Sequence, residues 1–107
     1  MSDDVLVQLA ATISARRSAA PDNSYTRQLL DAGPARCAKK LGEEAIETVI
    51  AATGESDEAL KAEAADLLYH LLVLLESREI AIADVLALLE ARQGVSGLKE
   101  KAERTKR

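Results

Sequence analysis

The 107-residue sequence has no tryptophan or phenylalanine, only two tyrosines and two prolines, and a single cysteine. The shortage of aromatics and of β-branched runs argues against a sheet and for an all-α chain built on alanine and leucine. A core of that kind buries modest area per residue. Helices this apolar are therefore expected to complete a helical bundle against a second copy of the chain, as a homodimer or homotetramer. One cysteine excludes an internal disulfide, and Cys37 has no Cys or His close in sequence, so it reads as a small buried residue and not as a nucleophile. No apolar run approaches the roughly 18 residues needed to cross a bilayer. The opening MSDDVLVQLA carries acids where an export signal carries bases, so a cytoplasmic protein without a membrane partner is expected.

Basic charge is also in short supply. The net charge is -4, which argues against a nucleic-acid partner because phosphate binding normally shows as a basic face. The exception is LKEKAERTKR at 98–107, with five basic and two acidic groups. With the rest of 95–107 it reads as a solvated or frayed tail on one domain spanning 1–107.

The breakers divide what remains into helices. Ser2 or Asp3 is placed to cap a first helix to about Arg17, with Val5, Leu6, Leu9 and Ile13 on its apolar stripe. Pro21, Asp22 and Asn23 interrupt, and Ser24 caps a short helix from Tyr25 to about Asp31 that Gly33-Pro34 ends. A long helix follows from Ala35 to Thr53, with Gly54 just past its C-terminus. Ser56 or Asp57 caps a second long helix to about Arg78, and the short link predicts a central antiparallel hairpin. A last helix runs from about Ala83 to Arg92 and ends at Gly94.

The informative pattern is where the acids fall. At about 100° per residue, Lys40, Glu43, Glu44 and Glu47 share one stripe of the first long helix, while Leu41, Ala45, Ile46, Val49, Ile50 and Ala52 flank it. With almost no ordinary polar face, that helix is expected to be substantially buried. On the second long helix Glu63, Asp66 and His70 share one arc among leucines. In a hairpin the two acidic stripes can face each other. Converging unpaired carboxylates in an apolar bundle costs several kcal/mol per ion, so a cation is expected among them. Carboxylates alone suit Mg²⁺, or Mn²⁺, better than zinc, and Mg²⁺ held this way commonly meets substrate phosphates. A merely solvated charged face is the bland alternative. A carboxylate-bridged di-iron bundle needs Glu-x-x-His pairs, and the sequence has none. The lone His70 reads as a supporting or structural residue.

Glu44-Ala45-Ile46-Glu47, followed after fifteen residues by Glu63-Ala64-Ala65-Asp66, resembles the ExxE…ExxD signature of the all-α, MazG-like nucleotide pyrophosphohydrolases. Within that superfamily Ser24-Tyr25-Thr26, Gly33-Pro34, KKLGEEAIE and EAADLLYHLLVLL are similar to the phosphoribosyl-ATP pyrophosphohydrolase family over roughly residues 5–92. The resemblance implies Mg²⁺-dependent hydrolysis of a small-molecule nucleotide, 1-(5-phosphoribosyl)-ATP, to the AMP derivative and pyrophosphate, the second step of histidine biosynthesis. It implies Glu44, Glu47, Glu63 and Asp66 as metal ligands, with Glu43 assisting the metals or positioning water. Lys40, and less directly Lys39, would neutralise phosphate charge. Tyr25 and Arg27 would approach the substrate, although Tyr25 reads equally well as a packing residue. Where the family often caps its last helix with Ser or Thr, this chain has Ala81, which weakens the cap by about 1 kcal/mol. Two other readings stand beside this one: a house-cleaning hydrolase of dUTP or dCTP, and a non-catalytic helical dimerisation module.

Overall fold

Ser24 and Gly33 set the frame in the computed structural model, which describes residues 4–18 and 24–93. The Ser24 side chain accepts from the Arg27 N–H at 3.1 Å and starts helix α2, Tyr25–Ala32. Gly33, at φ 96°, closes α2 by donating to the Leu30 carbonyl and turns directly into α3, Pro34–Gly54, with Pro34 in its first turn. That φ is one glycine adopts without strain, and proline lacks the N–H a first turn leaves unpaired. Before these stand α1, Asp4–Ala15, and a 3-10 turn over Arg16–Ser18; after them come α4, Asp57–Ser77, and α5, Ile82–Arg92.

The expected boundaries hold with small shifts. Helix α1 stops at Ala15 instead of near Arg17, because the chain tightens there into the 3-10 turn, with Ser18 Oγ donating to the Ala15 carbonyl. Gly54 is the last residue of α3 and not the one past it; the Glu55 N–H makes the closing bond to Ala51. Ser56 caps α4 by accepting from the Ala59 N–H, and Asp57 and Glu58 in the first turn suit the helix dipole. Ala81 stands at the start of α5 without a side-chain cap bond. Ser2, Asp3, Pro21 to Asn23, Gly94 and the basic tail lie outside the described residues.

The core sits where α1, α2, the start of α3 and the C-terminal half of α4 meet. Ile13, Leu29, Leu30, Cys37, Leu72 and Val73 are buried there, with Leu6, Leu9, Tyr69, Leu75 and Ile82 packed against them. Cys37 is indeed a small buried residue, its Sγ donating to the Leu29 carbonyl at 3.2 Å. Val5, expected on the inner stripe, is exposed. The Arg17 guanidinium bonds both the carboxylate and the carbonyl of Glu76, fastening the turn after α1 to the end of α4, where helix carbonyls favour a cation.

The most extensive pairing is α3 with α4, linked through Glu55 and Ser56. Here one expectation fails within the single chain: α3 is not substantially buried. Ile46, Val49 and Ile50 are 63%, 63% and 52% exposed. Helical rotation gives the reason. Cys37, Glu44, Thr48 and Ala51 fall within about 60° of one another, and Ile46, Val49 and Ile50 lie on the opposite side. The face α3 turns to α4 carries the carboxylates, and its apolar face points away.

Candidate metal centre

Three carboxylates from the two long helices meet. One oxygen each of Glu44, Glu63 and Asp66 lies within 4.8 Å of the others, a group that could hold a metal ion. Glu44 and Glu63 are half-buried and Asp66 is exposed. Glu44 Oε2 and Glu63 Oε1 are sealed from solvent and have no hydrogen-bond partner in the protein. Leaving two such acceptors unpaired is unfavourable, and a hard cation satisfies both.

The electrostatics agree. Burial pushes the Glu44 carboxyl above its ordinary value, and a hydrogen bond and charge repulsion from Glu47 push it further. Burial likewise raises Glu63, followed by repulsion from Glu47 and Asp66. A site that disfavours its own negative charge is one that gains from a positive ion. The donor set, all oxygen, fits Mg²⁺ or Mn²⁺.

Glu47 is not among the three convergent oxygens. It is exposed, and it acts on the cluster through Glu44 and Glu63. Lys40 Nζ pairs with Glu43 Oε1 at 3.1 Å, one turn along α3, so neither side chain is directed into the trio. That pair holds the Lys40 ammonium above its ordinary value, with help from nearby Tyr25, and holds Glu43 below its own. Lys39 is exposed and acts on Glu43 only through charge. Arg27 is tied along α2 to Asp31 at 3.2 Å. The exposed Tyr25 places its hydroxyl 3.3 Å from His70 Nε2.

Sequence reasoning missed Thr48. Its hydroxyl lies 2.8 Å from the backbone carbonyl of Glu44 and 3.4 Å from that of Glu63, joining α3 to α4 at two of the site residues. The available signal was its place four residues after Glu44, on the same face. Also missed was the bond between Thr26 and the Tyr69 hydroxyl, which docks α2 on α4.

Comparison with known proteins fits this arrangement. The family model of phosphoribosyl-ATP pyrophosphohydrolase matches residues 6–93. A phosphoribosyl-ATP pyrophosphatase of Dinoroseobacter shibae is 55% identical over 100 residues, covering 94% of this chain and 98% of the relative. Its namesake from Cereibacter sphaeroides is 54% identical with coverage of 94% and 97%; that of Nitrobacter winogradskyi is 54% identical with coverage of 92% and 84%. A match over most of the chain, at this identity, places the protein in the phosphoribosyl-ATP pyrophosphohydrolase family.

Proposed function

We propose that this chain hydrolyses 1-(5-phosphoribosyl)-ATP to 1-(5-phosphoribosyl)-AMP and pyrophosphate, in the cytoplasm, as a step of histidine biosynthesis. Family membership over residues 6–93 supports the substrate. The observation that carries the chemistry is the pair of sealed, unpartnered oxygens on Glu44 and Glu63, which a cation held there would satisfy. Glu44, Glu63 and Asp66 would hold Mg²⁺, or Mn²⁺, with Glu47 a further ligand from the exposed side. The chemistry such an ion would supply is neutralisation of phosphate charge, which would favour attack by water on the phosphoric anhydride.

The chain's own groups do the rest. Lys40, released from Glu43, offers its ammonium to the charge that builds on the phosphates. Glu43, once Lys40 turns to substrate, has a carboxylate oxygen free to accept a hydrogen bond from water. Lys39 adds positive potential, and Tyr25 and Arg27 border the approach from α2. No protein nucleophile is needed.

The hairpin of α3 and α4 is antiparallel in this reading: Thr48 and Glu63, equidistant from the Glu55–Ser56 link, meet at 3.4 Å. The outward face of Ile46, Val49 and Ile50 is covered by a second copy, giving a homodimer or homotetramer. The deciding experiment measures pyrophosphate release from phosphoribosyl-ATP, dUTP and dCTP, with Mg²⁺ and with EDTA. Metal-dependent release from phosphoribosyl-ATP is expected. Release confined to dUTP or dCTP would refute the substrate, and release unaffected by EDTA would refute the metal.

A further inference from the structure

Charge is unevenly spread along the α3–α4 pair. Residues 34–41, at the start of α3, carry Arg36, Lys39 and Lys40 and no acid, whereas the link to α4 and its first turn carry Glu55, Asp57 and Glu58. The one base between 48 and 62, Lys61, is taken by Glu58 at 3.1 Å. The acidic end is felt at the carboxylate cluster: behind burial and the nearer acids Glu47 and Asp66, the charge of Glu55 also raises the Glu63 carboxyl. Glu44, Glu63 and Asp66 therefore stand between a basic end and an acidic one.

Helical rotation sorts the three bases. Arg36, Lys40, Glu43 and Glu47 fall within about 60° of one another, on the flank of the face that meets α4, while Lys39 is turned nearly opposite to α4. Glu43 is held below its ordinary value first by its bond to Lys40, and the charges of Lys39 and Arg36 add to that. Arg36 is thus within electrostatic reach of the Lys40–Glu43 pair. Lys40 is engaged there at 3.1 Å, whereas the exposed Arg36 pairs with no acid among the described residues. From Arg36 to Glu44 is eight residues, about 12 Å along the helix axis.

The nucleotide of the proposed reaction carries phosphate at two ends. Its triphosphate is on one ribose, and a further phosphate is on the second ribose, joined to the far side of the adenine. With the anhydride at the carboxylates, that phosphate lies a ribose, an adenine and another ribose away, a span that matches two turns of α3 and the reach of a long side chain. A phosphate dianion is repelled at the Glu55 end and attracted at the Arg36 end. The guanidinium fork meets it with paired hydrogen bonds.

We propose that Arg36 is a specificity-determining residue that binds the phosphate on the substrate's second ribose, so that the nucleotide lies along α3 with its triphosphate at the carboxylates. The inference rests on the substrate assigned above. A nucleoside triphosphate without a second phosphate, such as dUTP or dCTP, offers Arg36 nothing to hold.

The test pairs variants with substrates. Wild type should lose about tenfold in kcat/KM when phosphoribosyl-ATP is replaced by 1-ribosyl-ATP, the same molecule without the second phosphate, the scale of an exposed charge-assisted contact. Arg36→Met should show that loss on phosphoribosyl-ATP, carried by KM with kcat within about twofold, and should not distinguish the two substrates. Arg36→Lys, a point charge without the fork, should fall between. Lys61→Met removes one positive charge from the acidic end and should match wild type on both. Wild-type indifference to the phosphate, an Arg36→Met variant that discriminates as wild type does, or an equal loss in Lys61→Met overturns the proposal. A second arm needs no turnover: in EDTA, ribose 5-phosphate should move the Arg36 Nε–H resonance and ribose should not. An unmoved resonance overturns the subsite, whereas absent hydrolysis of phosphoribosyl-ATP with a moved resonance refutes the assigned reaction and leaves the phosphate site standing.

Discussion

Glu44→Gln should make the metal-free protein more stable and abolish its stabilisation by Mg²⁺. In the wild type one Glu44 oxygen is sealed without a partner, and burial and the repulsion of Glu47 hold the carboxyl above its ordinary 4.5. An unsatisfied buried acceptor costs about 1–3 kcal/mol. Because Glu44 as a whole is only half-buried, solvent screening places the gain at the low end, about 1 kcal/mol. For a chain of this size that is an increase in Tm of about 5 °C. The amide also brings an N–H donor for the neighbouring carboxylates.

The sign with pH follows from the raised value. A carboxyl that binds its proton more tightly folded than unfolded contributes stability below 4.5, and that contribution is lost as pH rises through the folded value. In EDTA the advantage of Glu44→Gln should therefore be absent in acid, open above 4.5 and level off at neutral pH. With Mg²⁺ the order reverses, because an ion that binds only the folded wild type stabilises it by mass action. The assay is thermal unfolding followed by circular dichroism across pH, in EDTA and in Mg²⁺. A variant less stable than wild type in EDTA at neutral pH, or equal Mg²⁺ stabilisation of both proteins, would refute the reasoning.

Asp66→Asn should keep the helical circular dichroism spectrum but lose Mg²⁺-dependent pyrophosphate release; retained full turnover would remove Asp66 from the site. Lys40→Met should lower kcat/KM about thirtyfold, the scale of one charge-assisted hydrogen bond, and an unchanged value would free Lys40 of any role toward the phosphates. Ala81→Ser supplies the missing cap of α5 and should raise stability in urea by about 1 kcal/mol. Ile46→Glu with Ile50→Glu should lower the sedimenting mass of the native assembly to that of a single chain, and an unaltered mass would show that this face is not the interface.

Helix boundaries were legible because each has a local cause within a few residues: Ser24 and Ser56 as caps, Gly33-Pro34 as the break, Ala81 as a start without a cap. The convergence of Glu44, Glu63 and Asp66 was legible from periodicity and a short link. The burial of α3 was not. Periodicity reveals an apolar stripe and an acidic stripe, but it does not say which one meets α4, and a reader assumes the apolar one. Thr48 was overlooked for the same reason. A threonine in a helix usually bonds back to its own turn, as Thr12 and Thr53 do, and only the facing α4 makes Thr48 a bridge to Glu63. Tyr25 and His70 are 45 residues apart, a separation at which no helical period relates two side chains.

The inversion of α3 ties its stability to its chemistry. An ordinary helix turns apolar residues to its partner and gains from burial. Alpha-3 turns Glu44 and Thr48 inward with the small Ala51, and in the C-terminal half of the helix Ala51 is the buried residue. Ala51 contributes little area, and the nearby carboxyls oppose their own ionisation. That end of the α3–α4 pair therefore lacks, within one chain, the cohesion that Ile13, Leu29, Leu30 and Val73 give the other end. In the proposed function two additions would meet the deficit from opposite sides of the helix: a cation on the acidic face, and a second copy on the face of Ile46, Val49 and Ile50. Replacing the acids with leucine would join α3 to α4 more firmly and leave nothing to hold the ion. On the proposed function, the weakness of this end follows from reserving the inner face for a charged ligand, which leaves outside the apolar residues that would ordinarily form a core.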